Sequence, residues 1–401
     1  MSKTIVDQQK IDWFLTHAVE NVYPSREALR EKLLSGERIS IYLGIDPTGA
    51  TLHMGHMIPI QKLAELQELG HQIILLIGDF TAMSGDPDKL TVRRQLTREE
   101  VLENCKLYQQ QASKLLRFSG VNAAQLKFNN DWLSKLTFKE VVELASHFTV
   151  QQMLERDNFE KRMEEQKPIK LHEFLYPLMQ GYDSVAMDVD MELGGNDQTF
   201  NMLAGRTLMK EMKHKEKFVL TTRLLVDSNG KKMGKTEGNM ITMLDSADDM
   251  YGKVMSWTDE MIVPGFEICT TADQKELEEI KKKLKKENPM ILKRALAHQI
   301  VLWLYDGKSA EQAAEHFASL HQKHEQPEEI PEMKIKEKSI SLIEALVQSK
   351  LVESKSDARR QVEQGGVKVE GKVITDVKAM VTIGKQGTVI QKGKRHFVKL
   401  V

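Results

Sequence analysis

Between Ile39 and Ile45 the chain is short, apolar and β-branched, and Asp46-Pro47-Thr48-Gly49 then breaks the run with turn residues. A helical pattern follows at once. From His53 to Leu69 the apolar residues Met57, Ile58, Ile60, Leu63, Leu66 and Leu69 recur at roughly helical spacing, and Gly70 marks a stop. A buried strand feeding a helix after so short a turn has few places to go, since the helix must pack back onto the sheet its strand belongs to. The same alternation continues. His71–Ile77 reads as a second buried strand, Lys127-Phe128 as part of a third, and Phe218–Thr222 as a fourth. Thr97 with Glu100 forms a capping-box pattern that opens a helix through Leu116. Phe138–Phe148 and Leu171–Asp183 are further helices, with Pro177 starting or kinking the second. Residues 7–20 read as one amphipathic helix with Ile11, Phe14, Leu15 and Val19 on one side. Strands alternating with helices from 39 to about 225 predict an α/β fold, a parallel sheet with flanking helices, whose ligands gather at the carboxyl ends of the strands.

The first turn of the helix after the first strand is His53-Met54-Gly55-His56. Free backbone N–H groups and the positive end of the helix dipole favour a phosphate there, Gly55 lets it approach the backbone, and two imidazoles about one turn apart can donate to its oxygens. Pro59 lies deeper than the favoured first position and predicts an irregular opening turn. Two histidines could instead chelate a metal, but no third ligand or HExxH glutamate sits nearby, so no resident metal is expected. An isolated pair could also be ordinary helix surface. Lys232-Met233-Gly234-Lys235-Thr236 changes that balance. It sits in a glycine- and lysine-rich loop spanning 227–239. It is no P-loop: the glycine required five positions before Gly234 is Asn229. Alone it could be a solvated basic loop; together with the histidines it reads as a mobile lysine loop that closes over a triphosphate.

Charge divides the chain. Overall it carries −1, yet from Lys338 onward 13 Lys and Arg face 6 Asp and Glu, which leaves an acidic body with a basic end suited to a nucleic acid. The alternating region gives way to a mostly helical one from about Asp245 to Lys323. His324–Glu337, with Pro327 and Pro331, reads as a linker, and a small α+β module follows. The expected domains are therefore 1–225, 226–323, the linker 324–337, and 338–401. Cys105 and Cys269 are the two cysteines, too few for a disulfide framework and in keeping with a reducing compartment. No signal-peptide layout and no apolar run near the roughly 20 residues of a span is present, so a cytoplasmic location with no membrane contact is expected.

The His53–His56 and Lys232–Thr236 segments resemble the "HIGH" and "KMSKS" signatures of class I aminoacyl-tRNA synthetases. Gly234 and Thr236 stand where serines are common. Other segments narrow the resemblance to the bacterial tyrosyl-tRNA synthetases: Tyr42-Leu43-Gly44-Ile45-Asp46-Pro47-Thr48, Gly85-Asp86-Pro87, Tyr176–Ser184 and Gly194-Gly195-Asn196-Asp197-Gln198. Asp88-Lys89 and Thr199 depart from that family's pattern. Residues 338–401 resemble the RNA-binding module named after small-subunit ribosomal protein S-four.

The resemblance implies a Rossmann-like catalytic domain, a helical anticodon-binding domain and the RNA module, in a homodimer whose substrates are ATP with Mg²⁺, L-tyrosine and tRNA. It implies that Tyr42 and Asp183 bond the substrate phenol, that Asp86, Tyr176 and Gln180 hold the ammonium group, and that Gln198 lies near the carboxylate. Asp197 and the backbone of Gly195 would take the ribose. Gly55 and His56 would stand close to the nucleotide, while Thr48, His53, Lys232, Lys235 and Thr236 would stabilise the pyrophosphate charge. Chemistry agrees in part, since Tyr176, Gln180 and Asp183 are spaced i, i+4, i+7 and share one helix face. That face could also be ordinary surface or satisfied core. A tryptophan-specific relative fits less well, given Asp183, Tyr42 and the C-terminal module. A non-catalytic RNA-binding protein would need none of His53, His56, Lys232 and Lys235.

Overall fold

The computed structural model describes residues 4–86, 96–226, 240–322, 330, 332–335, 339–349, 351–352, 354–384, 387–393 and 396–401. They fall into two compact units, residues 1–314 and 315–401.

The first unit is built on a six-stranded sheet: β1 (Val19–Tyr23), β2 (Ser40–Ile45), β3 (Gln72–Ile77), β4 (Gln125–Phe128), β5 (Met191–Gly195) and β6 (Phe218–Thr222). Their spatial order is β1-β6-β5-β2-β3-β4. From β6 to β4 all neighbours pair in parallel. Ile41, Tyr42, Leu43, Ile73, Ile74 and Leu75 are buried, as strands covered on both faces by helices must be. The chain runs outward from β2 through β3 to β4, then returns to lay β5 and β6 on the other side of β2. The crevice at the carboxyl ends of β2 and β5 is thus the topological switch point, where ligands bind in open α/β sheets.

Two local readings need correction. The helix expected over 7–20 ends at Thr16; Ala18 turns through a φ of 53°, and Val19 starts β1, which pairs antiparallel with β6. The sheet is therefore mixed at its edge. Val19 continues the helical periodicity, but pairing with a strand 200 positions away overrides it. The helix expected from Thr97 to Leu116 is broken. Its capping box forms as predicted, but Arg98–Cys105 and Tyr108–Ala112 are separate helices.

The helix after β2 runs from Met54 to Glu68, with Pro59 inside it. His53 is its N-cap. The Gly55 N–H donates to His53 Nδ1 at 3.1 Å, and the His53 N–H donates to His56 Nδ1 at 3.2 Å. The opening turn is tight, as Pro59 predicted: His56 N–H reaches His53 O at 2.7 Å, an i→i+3 bond. Beyond residue 240 the unit is helical, with helices at Ala247–Met255, Ile262–Cys269, Gln274–Leu284, Pro289–Leu302 and Gly307–Gln322. Among the described residues no helix is long and apolar enough to cross a membrane.

The second unit contains β7 (Glu332–Met333), β8 (Ser339–Ser341), β9 (Val367–Val369), β10 (Lys372–Val373), β11 (Met380–Thr382), β12 (Thr388–Lys392) and β13 (His396–Leu400), with helices Leu342–Gln348 and Lys355–Glu363. Leu342, Leu346, Ala358, Val362, Ile390 and Leu400 form its core. Glu332-Met333, in the segment read as linker, lie parallel to β13 as the edge of this unit's sheet.

His71 gives the first unit a pH dependence. It is 1% exposed, and burial, with Arg38 nearby, drops its pKa to about 4. The unfolded chain takes up this proton near pH 6.5 and the folded chain does not. Stability is therefore full above pH 6.5 and falls as pH drops towards 4, by up to about 1.4 kcal/mol per unit. Urea unfolding at several pH values should show this slope, and His71→Gln should reduce it without abolishing it, because burial also holds the His17 imidazole at about 4.

Candidate active site

A cavity of about 1320 Å³ opens at the switch point, and every predicted site residue among those described lines it. Its mouth holds Thr48, His53, Gly55 and His56 from the β2 turn and the helix after it. Its floor holds Gly195, Asp197 and Gln198 from the end of β5. Its far end holds Tyr42, Asp86, Tyr176, Gln180 and Asp183. Lys232, Lys235 and Thr236 lie outside the described residues.

At the mouth, the two imidazoles tilt against each other with centroids 3.9 Å apart. Each spends Nδ1 as an acceptor from backbone N–H, so in the neutral ring each proton belongs on Nε2. Capping thus fixes the tautomer of both histidines and makes both rings donors. The chain leaving residues 227–239 is stitched to this same turn: Met54 N–H donates to Ile241 O and Met243 N–H to Leu52 O, each at 2.9 Å, and Thr242 bridges to His53. On the other flank, Leu224 and Leu225 line the cavity. The described residues on both sides of 227–239 therefore lie beside it.

On the floor, a side chain at either glycine would push a neighbouring side chain aside. A Cβ on Gly195 would stand 2.6 Å from Asp197 Oδ1, and one on Gly194 would stand 2.9 Å from Met202 Sδ. Gln198 Nε2 donates to Asp86 Oδ2 at 2.9 Å, and Asn201 holds Gln198 Oε1 at 3.0 Å.

At the far end, the helix Leu175–Met187 presents Tyr176, Gln180 and Asp183 on the one face that their spacing predicted, and each meets a different element. Tyr176 Oη donates to Asp46 Oδ2 at 2.8 Å. Gln180 Nε2 donates to Glu192 Oε1 at 3.0 Å. Asp183 accepts from Trp132 Nε1 at 2.8 Å and Asn129 Nδ2 at 3.2 Å. Asp46 also accepts from Thr81 Oγ1 at 2.7 Å, and Thr81 from Asn129 at 3.0 Å, so one polar network joins Tyr176 to Asp183. Burial pushes the Asp183 carboxyl well above the usual carboxylate range, against the hydrogen bonds from Trp132 and Asn129. Burial likewise pushes the Tyr42 and Tyr176 hydroxyls well above the normal phenol value.

Several residues here carry no role in the sequence reading: Asp46, Thr81, Asn129, Trp132, Arg156, Ser184, Glu192 and Lys217. Arg156, 4% exposed, pairs with Asp86 at 2.7 Å from 70 positions away. Asp46 and Ser184 lie in the segments Tyr42–Thr48 and Tyr176–Ser184 that carry the family resemblance, and the Asp46 carboxylate after a strand was a signal of its own. The others come from scattered positions with no local pattern. Among the described residues no group of three His, Cys, Asp or Glu is placed to hold a metal ion.

Comparison with known proteins agrees with this geometry. The family model described as "tRNA synthetases class I (W and Y)" matches residues 34–322, and the one described as "Tyrosine--tRNA ligase SYY-like C-terminal domain" matches residues 322–400. The chain is 42% identical over 393 residues to the tyrosine–tRNA ligase of Moorella thermoacetica, covering 96% of this chain and 94% of that one. It is also 42% identical to tyrosine–tRNA ligase 2 of Clostridium acetobutylicum, over 100% of this chain and 99% of the relative. Among solved structures it resembles a C-terminally truncated mitochondrial tyrosyl-tRNA synthetase of Coccidioides posadasii, with 25% identity, a TM-score of 0.60, and coverage of 77% of this chain and 91% of that one. The fold is shared with the tyrosyl-tRNA synthetase of Archaeoglobus fulgidus, at 22% identity and a TM-score of 0.59 over 77% of this chain and all of that one.

Proposed function

The chain belongs to the tyrosyl-tRNA synthetase family of class I tRNA synthetases, and from that premise we propose how its cavity divides the work of ligating L-tyrosine to tRNA with ATP. In the first half-reaction the tyrosine carboxylate oxygen attacks the α-phosphorus of ATP. The bond from that phosphorus to the bridging oxygen breaks, and pyrophosphate leaves. In the second, a hydroxyl of the tRNA 3′-terminal adenosine attacks the adenylate carbonyl, and AMP leaves. Because the attacking carboxylate is already charged, no protein nucleophile is required, and positioning and charge stabilisation carry the rate.

Tyr42 and Asp183 read the phenol at the far end. Asp86, Tyr176 and Gln180 take the ammonium group, and Gln198 lies by the carboxylate. Arg156, paired with Asp86, holds that carboxylate in place before tyrosine arrives. The β5 floor, with Gly195 and Asp197, takes the ribose. At the mouth, Gly55 and the helix N-terminus admit the phosphates, His53 and His56 donate from Nε2, and Thr48 adds a hydroxyl. Lys232, Lys235 and Thr236, from the lysine-rich segment whose described flanking residues lie beside the cavity, complete the cradle for the leaving pyrophosphate. Mg²⁺ rides on the phosphates as part of the ATP substrate.

One observation supports this reading above all: a single cavity at the switch point has a helix N-terminus with two donor histidines at one end and a buried tyrosine–carboxylate pair at the other. Amino-acid-dependent ATP–pyrophosphate exchange tests it, with tyrosine, tryptophan and phenylalanine run in parallel. Exchange that strongly prefers tyrosine over both phenylalanine and tryptophan is the expected result; efficient exchange with tryptophan would overturn the substrate assignment.

The remaining assignments rest on the same footing. The basic C-terminal unit and the lysine-rich end of the Gln274–Leu284 helix bind tRNA, the latter within a helical anticodon-reading domain. The active form is a homodimer. In its support, large apolar side chains stay exposed along one stretch of the chain, Phe138 at 84% and Leu171 at 81%, with Val142, Val150 and Met163 between them. Cys105 and Cys269 are free thiols, which suits the cytoplasm. Removing residues 324–401, a cut that takes β7 along with its sheet, should lower tRNA charging about tenfold or more. Pyrophosphate exchange should persist, and its collapse would show that the two units do not divide the reaction this way.

A further inference from the structure

Behind the phenol end of the cavity lies a cluster that the ligation chemistry leaves unused. Lys217, just before β6, is fully buried. Its ammonium donates to the Glu192 carboxylate, to Ser184 Oγ at 2.7 Å and to Met202 O at 3.3 Å, so three acceptors meet its three donors. Glu192, on β5, faces the cavity and takes its other bond from Gln180. Ser184 Oγ lies 3.0 Å from Tyr42 Oη.

The backbone is shaped to admit this lysine. A Cβ on Gly205 would stand 2.5 Å from Lys217 Nζ and 3.1 Å from Ser184 Oγ, and one on Gly181 would stand 3.1 Å from the Gly205 nitrogen. The helices Leu175–Met187 and Thr199–Lys213 therefore cross glycine on glycine, with the ammonium seated beside the crossing.

Hydrogen-bond direction explains what the lysine does there. In isolation either hydroxyl of the Tyr42–Ser184 pair could donate. An ammonium can only donate, so Ser184 Oγ accepts from Lys217, and among the described residues Tyr42 Oη is the acceptor left for the serine's own proton. The Tyr42 proton is then excluded from the Ser184 side and left for the cavity that Tyr42, Glu192 and Asp183 line together. Lys217 and Gln180 each hold one oxygen of Glu192, which weakens its claim on that proton.

We infer that Lys217, acting through Ser184, is a positioning residue that makes Tyr42 a hydrogen-bond donor towards the cavity and so sets the pocket to read a phenol. The inference rests on the tyrosine reading of the cavity. One donor, Tyr42, and one acceptor, Asp183, match a phenol hydroxyl, which accepts once and donates once. A benzene ring offers neither function, and an indole N–H can only donate.

The test uses the full chain and pyrophosphate exchange with tyrosine and phenylalanine. Ser184→Ala removes the relay but keeps the Lys217–Glu192 pair. Gly205→Ala displaces the Lys217 head from a position that touches no substrate. Lys217→Met combined with Glu192→Gln removes both charges, so neither is left stranded. Each variant should raise the tyrosine KM about tenfold, with the ATP KM and phenylalanine kcat/KM unchanged, so that the tyrosine-to-phenylalanine ratio falls by the same factor. A parallel loss for both amino acids, or an unchanged ratio in Ser184→Ala, overturns the inference while leaving the ligation reading intact. Absence of tyrosine-dependent exchange in the parent chain would overturn both.

Discussion

Asp183→Ala is expected to lower kcat/KM for tyrosine about 100-fold or more, with the KM for ATP changed by less than about threefold. Asp183 is 3% exposed, and each of its oxygens is held by a donor, Trp132 on one side and Asn129 on the other. Keeping a carboxylate there costs the fold, as its raised pKa shows. That cost is understandable if the group must accept a proton from a buried phenol. Alanine removes that acceptor and also leaves Trp132 Nε1 and Asn129 Nδ2 facing a gap. The damage should be confined to the amino-acid end, because His53, His56 and the β5 floor belong to other elements. Pyrophosphate exchange measured against each substrate separately gives the result. Equal losses for tyrosine and ATP would mean that Asp183 supports the whole cavity rather than reading the phenol.

Gly78→Ala should produce a loss of similar size by displacing Asp46 and Thr81 beside the cavity. A Cβ there would stand 1.9 Å from Asp46 Oδ1 and 2.5 Å from Thr81 Oγ1. Nothing flexible can yield cheaply, because Asp46 is tied to Thr81 and Tyr176 and Thr81 to Asn129. Moving Asp46 releases Tyr176 and loosens the side of the pocket assigned to the ammonium group. We expect kcat/KM for tyrosine to fall about 100-fold and stability to drop by about 2–4 kcal/mol in urea unfolding. Exchange within twofold of the parent chain would show that the Asp46 network does not govern tyrosine binding.

These two predictions differ in how legible their residues were. Asp183 belongs to a local pattern: Tyr176, Gln180 and Asp183 share a helix face by spacing alone, and the structure keeps them there. The same is true of His53 and His56, whose capping role needs only the turn they open. Gly78 offers no such signal. It follows a strand like many glycines, and its necessity lies in a carboxylate 32 positions earlier. The edge strand β1 went unread for a related reason, since its pairing with β6 overrides a periodicity that continues smoothly from the helix before it.

Strand ends, turn residues, helix caps and helical faces are settled within a few positions. The order of residues alone therefore carried the α/β alternation, the capped turn at His53, the polar face of Tyr176, Gln180 and Asp183, and through them the family. The polar partners were a matter of folding. Ser184 meets Tyr42 across 142 positions, Asp46 meets Tyr176 across 130, and Arg156 meets Asp86 across 70. No local rule connects such pairs, because the return of the chain to set β5 beside β2 builds the crevice around which they meet. Burial there makes each unmet polar group costly, and that cost holds the partners in place once the sheet has formed.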